Sequence, residues 1–224
     1  MNGTKKSVEL ARCIFSMNGV VESKATDGSM LGTHYIETDS NASYSNTKAK
    51  DIEGFKRSVS ENGGYYIARY EASNNKGVVQ SKSNVAVWNN ITQPEAAKVC
   101  RNMYQNKDFE SDLINSYAWD TALLFIQTFA NDRYSGQESL NETLAYTGLR
   151  TDGTTDKMCN IFDMASNCIE WSTETYMYDS INCVGRGAGY LKGNATWAGD
   201  HVMHEASEKK NHVTFRPILY INNK

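Results

Sequence analysis

The chain reads as an α+β fold with high irregular content, and three observations predict it. Two stretches in the middle carry helical spacing, short strand-like runs lie before and after them, and the composition favours turns. Proline is confined to Pro94 and Pro217, while Asn, Ser, Thr, Gly and Tyr are plentiful. That balance suits many turns and loops rather than long helices.

Residues 8–15 read as a strand or a short helix, and residues 37–51, rich in Ser, Asn, Thr and Lys, as a loop. Gly63-Gly64 turns the chain into residues 65–71, a strand candidate with aromatics on both faces, and residues 74–84 read as a polar loop. Thr92-Gln-Pro-Glu95 is a capping box: the Thr92 hydroxyl can accept from the Glu95 amide, and the Glu95 side chain can reach back to the Thr92 amide. Ala96, Val99, Cys100 and Met103 then follow on one helical stripe. A second helix starts near Ser116, where Trp119, Ala122, Leu123 and Ile126 form a core-facing stripe that Phe125 and Phe129 widen.

The second half reads as loop over residues 131–157, strand over 169–172, a Gly-rich run over 183–189, irregular chain over 193–212 and a closing strand over 213–221. Residues 1–50 are expected as an N-terminal segment, a strand and loop region or an oligomerising arm. Residues 51–224 are expected as one domain.

Composition excludes several classes. The net charge is slightly negative and no Lys/Arg-rich run occurs, so nucleic acid is not an expected partner. No apolar run approaches the roughly 18 residues of a membrane span, and the first residues do not form a signal peptide. The five cysteines are odd in number and lack a CxxC pair, which points to buried thiols rather than a disulfide framework or a zinc site. A Cys159–Cys183 or Cys168–Cys183 pair stays open.

The stretch Cys159-Asn-Ile-Phe-Asp-Met-Ala-Ser-Asn-Cys-Ile-Glu-Trp171 mixes charge and apolar residues in a way that suits neither a solvated loop nor a plain core strand. It reads as a tight polar loop entering a buried strand, with Asp163 and Glu170 near enough to share one cation. In the alternative, Asp163 caps a turn and Glu170 pairs with Arg186 or Arg216.

Several landmarks together resemble a known family. Gly64-Tyr-Tyr-Ile-Ala-Arg-Tyr-Glu-Ala72 is similar to the "YxIxKYEVT" strand of formylglycine-generating-enzyme-like domains. Residues 92–100 resemble that family's "V(T/S)WxxAxxYC" helix, and Asn115-Ser-Tyr-Ala-Trp-Asp-Thr-Ala122 sits where it has "LPTEAEWEYA". Residues 160–171 resemble "NxxDMxGNVxEW", Val184-Gly-Arg-Gly-Ala-Gly-Tyr190 resembles "VxRGGSY", and Thr214-Phe-Arg216 resembles the terminal "GFR". The resemblance covers about residues 52–221 and implies the C-type-lectin-like fold. The ending is more similar still to the variable proteins of diversity-generating retroelements, which display a hypermutated C-terminal surface on this scaffold, in phage for host receptors and in bacteria.

The family's oxidases carry two copper-binding cysteines after the "RGGSY" turn. The matching positions here are Lys192 and Trp197, and no cysteine follows Cys183. Neither side chain supplies a thiolate, so the resemblance implies neither copper nor an oxidase. His201-Val-Met-His204-Glu205 is not the HExxH order of a helical zinc site; it reads as surface histidines on a loop, and iron is not expected. The family's calcium loop, carried over, implies side-chain oxygens from Asp163 and Glu170 and carbonyls from Ser166 and Cys168, with Ser166 standing where glycine is usual.

Residues 176–214 hold Tyr176, Tyr178, Asp179, Asn182, Tyr190, Asn194, Thr196, Trp197, His201, His204, Asn211 and His212. Aromatic tips among small polar neighbours suit an adaptable binding surface. The expectation is therefore a non-enzymatic ligand-binding protein of a phage virion or bacterial surface, facing a protein or glycan on a target cell. A metal-dependent oxidoreductase of the same fold and a structural virion or surface component are the alternatives.

Overall fold

Order along the chain follows local chemistry. In this computed structural model, residues 6–26, 34–37, 47–104, 108–139, 143–148, 156–177, 181–191 and 197–222 are described. The chain opens with the hairpin β1 (Arg12–Phe15) and β2 (Val21–Ala25), then β3 (Tyr35–Ile36) and helix α1 (Ile52–Asn62). β4 (Tyr66–Ile67), β5 (Ala72–Asn75) and β6 (Val78–Ser81) precede α2 (Gln93–Arg101), β7 (Phe109–Leu113) and α3 (Ser116–Phe129). A short 3-10 helix (Tyr134–Gly136) follows, and then the strands β8 (Lys157–Met158), β9 (Ile161–Phe162), β10 (Ile169–Met177), β11 (Ile181–Arg186), β12 (His201–His204), β13 (Val213–Phe215) and β14 (Pro217–Ile221).

The mixed α+β class holds, with three α-helices among the described residues where two are expected. The unexpected one, α1, is capped by the Asp51 carboxylate accepting from the Gly54 amide at 2.7 Å and ends on Gly63 in the left-handed region, φ 75°. It buries only Ile52, Phe55 and Ser58, which is why its stripe is hard to see in sequence. The capping box on α2 forms as expected, with Thr92 and Glu95 reciprocally bonded. α3 starts at Ser116, its N-cap Asn115 accepting from the Ala118 amide.

Strand boundaries depart further from expectation. Only Tyr66–Ile67 of residues 65–71 is strand, and the polar run after it forms the β5–β6 hairpin, closed by a turn with Lys76 and Gly77 at positive φ. The stretch expected as one closing strand is two: β13 runs parallel to β10, whereas β14 lies between β4 and β7 in another sheet. Arg216 separates them. The region expected to be irregular contains β12, which pairs with β11.

The largest sheet has the order β12-β11-β10-β13, with β3 also on β10. Between Trp171 and Thr175 the β10–β11 register slips, so residues 172–174 bulge from the ladder. Bulges re-aim side chains, and here Thr173 instead donates its amide to the Ile114 carbonyl. Ala11, Cys13 and Phe15 belong to the same core cluster as Phe55, Trp119, Leu123 and Ile126. A second cluster gathers Ala96, Ala97, Ile169, Trp171, Val213 and Phe215. No helix among the described residues is long and apolar enough to cross a membrane.

Thr92→Ala removes one half of the capping box and is expected to cost about 1 kcal/mol, read as a shift in urea midpoint without a change in slope.

Candidate functional site

Left-handed residues shape both the turn between β8 and β9 and the polar loop after β9. Cys159, Asn160, Asp163 and Asn167 all have φ between 49° and 72°, a region that Asn and Asp tolerate better than most side chains. Ser166, which stands where the family has glycine, is not at positive φ, whereas Asp163 and Asn167 are. Asp163, Ser166, Cys168 and Glu170 are all buried, as predicted for a loop running into the core.

Asp163 and Glu170 have separate partners. Glu170 accepts from Arg216 Nε at 2.9 Å and Nη2 at 2.5 Å, the bidentate pairing of guanidinium and carboxylate. The remaining Arg216 donors reach the Ala68 and Phe162 carbonyls at 2.8 and 2.7 Å. Asp163 accepts from the Gly148 amide at 2.6 Å and from the Ser166 hydroxyl at 3.4 Å. The ion-pair alternative for Glu170 is the arrangement found.

Two further carboxylates enter the same volume, and neither is legible in the sequence. Glu71 accepts from the Asn167 side chain and the Cys168 amide. Asp156 accepts from the Tyr134 hydroxyl, the Ala165 amide and the Ser166 hydroxyl. One guanidinium thus faces four buried carboxylates. Burial, with Asp156 and Glu170 nearby, pushes the Asp163 carboxyl up to about 7 against the pull of the Gly148 amide and Arg216. Burial likewise raises Glu71 well above the usual carboxylate range. By charge the volume suits a cation; by position, both Glu170 oxygens are engaged, and among the described residues no three His, Cys, Asp or Glu side chains converge as a metal-binding group.

A second buried ion cluster lies under the β10 bulge. Arg12 pairs with Asp120 (3.1 Å) and Glu174, and Arg186 pairs with the same two carboxylates at 2.6 and 3.4 Å. Gly187 turns the chain immediately after Arg186 at φ 84°, where a Cβ would stand 2.7 Å from the Met164 carbonyl. Glu37 lies nearby, accepting from the Ser116 amide and hydroxyl and from Thr173. Burial and Glu174 raise its carboxyl to about 7 even though the Ser116 amide and Thr173 hold it down.

The expected binding residues separate into groups. Tyr176 packs on Tyr35 at 5.0 Å, and Tyr35 on His201 at 4.4 Å, with the exposed Met203 against the Tyr35 hydroxyl. Asn182 stands opposite Tyr176 in the β10–β11 register. These residues form an aromatic ledge across β3, β10 and β12. Sequence reasoning misses Tyr35, which lies far upstream of residues 176–214. His204, Asn211 and His212 flank the connection between β12 and β13, and Asn211 is exposed. Tyr190 is buried beside Val87 and Cys168, and half-buried Trp197 bridges to Glu138. Tyr178, Asp179, Asn194 and Thr196, together with Lys192, lie outside the described residues.

The histidines are not the surface loop residues expected. His201 and His204 lie on a strand at a spacing of three, so alternation sends them to opposite faces. Burial, Arg186 and Arg12 hold His201 well below its ordinary value, so it stays neutral although its Nε2 is 3.4 Å from Glu174. All five cysteines are free, and burial raises their thiols, Cys13 and Cys183 to about 12. None has the depressed pKa of an activated thiolate.

No protein-family model matches the chain, and no curated protein matches it. Among solved structures, the chain is similar to one described as "Crystal Structure of CarF", with a TM-score of 0.39 and 14% identity. The match covers 76% of this chain and 64% of that one, so it spans less than two thirds of that protein.

Glu170→Ala leaves Arg216 charged, buried and unpaired. The expected loss is about 3–5 kcal/mol, measured by denaturant titration. Glu37 gives a pH test. Its folded value of about 7 exceeds its ordinary 4.5, so its contribution is complete below about pH 4.5 and lost as pH rises through 7. That window corresponds to about 3 kcal/mol. Glu37→Gln is expected to lose less stability between pH 5 and pH 8 than the unmodified chain, and equal losses would refute this assignment.

Proposed function

We propose that this chain is a ligand-binding protein with a formylglycine-generating-enzyme-like C-type-lectin scaffold, of the kind diversified by retroelements. The observation that carries the proposal is the ledge of Tyr35, Tyr176, His201 and Met203 on strands anchored from beneath by the Arg12–Asp120–Arg186–Glu174 cluster. Tyrosine rings provide contact area at low entropic cost, and a rigid backing lowers the ordering cost of binding. The ordered landmarks from Gly64 to Arg216 support the scaffold. The want of any cysteine after Cys183 argues for display rather than copper chemistry. The ligand is a protein or glycan on a target cell, met from a phage virion or a bacterial surface.

The genetic locus tests this directly. A neighbouring reverse transcriptase and a template repeat differing at adenines across codons 176–214 are expected, and their absence would sink the retroelement reading. Once a ligand is captured, Tyr176→Ala is expected to weaken its binding at least tenfold while shifting the melting temperature by no more than about 2 °C, since a half-exposed ring contributes little to stability. Stoichiometric iron or copper in the purified protein, with oxygen consumption, would favour the oxidoreductase alternative.

For the carboxylate-rich loop we propose that protons and hydrogen-bond donors, rather than calcium, balance the excess charge. Asp163 and the Ser166 and Cys168 carbonyls are the oxygens a calcium ion would use, with Glu170 released from Arg216. Melting at pH 7.5 is expected to be the same in EDTA and in millimolar calcium. A calcium-dependent rise above about 5 °C, the scale of tight ligand linkage, would overturn that balance in favour of the ion.

A further inference from the structure

His204 ends β12 and His212 immediately precedes β13, at the two ends of the connection that carries the chain from β12, beside β11, to β13, beside β10. Their rings are 6.2 Å apart between centroids. Both side chains are largely buried: that of His204 is 9% exposed, and His212 is 7% exposed. The Trp171 ring closes over His204 at 5.5 Å.

The two imidazoles are held in the same way. His204 Nδ1 is 3.1 Å from the Glu208 carboxylate, and His212 Nδ1 is 3.3 Å from the Asn211 side-chain oxygen. Both oxygens only accept, so each Nδ1 carries the proton and each Nε2 keeps its lone pair. Neither Nε2 has a hydrogen-bond partner among the described residues. A buried acceptor left without a donor is costly, and two of them on adjacent rings need a reason. An imidazole whose Nδ1–H is fixed by a carboxylate or amide oxygen while Nε2 stands open is the arrangement of a metal-ligating histidine with its outer-shell partner.

We propose that His204 and His212 Nε2 form a two-nitrogen site for a borderline divalent cation, with zinc as the fitting ion, that clips the connection between β12 and β13. A zinc ion 2.0–2.1 Å from each nitrogen joins rings whose centres are roughly 5–6.5 Å apart, and the observed separation lies in that range. Zinc has no geometric preference of its own, so small side-chain rotations complete the fit. Lys210 is the unfavourable neighbour, but its ammonium is 3.2 Å from Glu208, whose charge offsets it. Cys183 lies opposite His204 in the strand register but does not complete a converging group of three. The remaining coordination positions thus fall to water or to a donor from a bound partner. Partly exposed Glu208 and exposed Asn211 form the lip through which the ion enters.

Zinc titration of the full chain by calorimetry tests the site. One equivalent is expected to bind with a Kd on the order of 10 μM, and a hundredfold excess is expected to raise the melting temperature by about 5 °C. His204→Gln and His212→Gln are each expected to weaken binding at least tenfold, and Glu208→Gln about tenfold, while His201→Gln retains it. If either ligand variant fails to fold, nitrogen NMR of the unmodified chain decides: zinc is expected to shift two histidine Nε2 resonances. Absence of binding, undiminished binding in a folded double variant, or unshifted Nε2 resonances would overturn the proposal. None of these outcomes depends on the retroelement reading, which the locus tests separately.

Discussion

Three buried arginines determine how the halves of this chain meet. Arg216 is completely enclosed, and its guanidinium makes four hydrogen bonds, two to Glu170 on β10 and one each to the carbonyls of Ala68 and Phe162. It is also the residue between β13 and β14, so the same side chain that anchors the central strand sits where the chain changes sheet. Arg12 from the N-terminal hairpin and Arg186 from β11 converge on Asp120 of α3 and Glu174 of β10. Each pair joins elements distant in sequence. Every partner must arrive for any of them to be buried without an unpaired charge, which makes docking of the elements mutually dependent.

The parts of this design that follow local rules were legible. Thr92 and Glu95 announce a helix start because a capping box is satisfied within four residues, and the stripe on α3 is long enough to show its period. The buried polar loop before Trp171 was legible as well, because charge embedded among apolar residues persists in a fold only where it is buried with partners. What could not be seen was decided by distant partners. β10 buries Glu170, Ser172, Thr173 and Glu174 along with Trp171, so alternation gives no clue to its length. Its bulge is set by Ile114 and by the arginines, none of them neighbours in sequence. Helix α1 buries a single aromatic residue, Phe55, and its cap is a lone Asp51 after a polar run. The histidines were misplaced for a related reason: a polar setting suggested a loop, whereas pairing with β11 made residues 201–204 an edge strand.

The two charge clusters differ in balance, and that difference assigns them different work. Under the bulge, two guanidiniums meet Asp120 and Glu174 directly, and Glu37 is held mainly by hydrogen bonds from Ser116 and Thr173. Beside Arg216, four carboxylates meet one guanidinium, and the deficit is met by amides of Gly148, Ala165 and Cys168 and by Tyr134 and Asn167. Backbone amides can be directed at a carboxylate only if the loop holds one conformation, and the left-handed residues Asp163 and Asn167 turn the chain on either side of Ala165 and Ser166. The first cluster therefore fixes how elements pack, and the second fixes the shape of a loop.

Buried ion pairs rarely add net stability over apolar residues of the same volume, because desolvation cancels much of the attraction. Their value here lies in excluding alternatives. A purely apolar β10 can slide by a residue against β11 or β13 and still bury its side chains, although such a slip inverts its faces. With Glu170 required at Arg216 and Glu174 required at Arg12 and Arg186, a slip leaves several charges buried and unpaired at once. The register of β10 sets the position of Tyr176, and through β11 that of β12, so the ledge above inherits its geometry from charges beneath it. Tyr35, Tyr176 and Met203 make none of these ion pairs, so of the ledge residues only His201, 3.4 Å from Glu174, touches the charges that hold it.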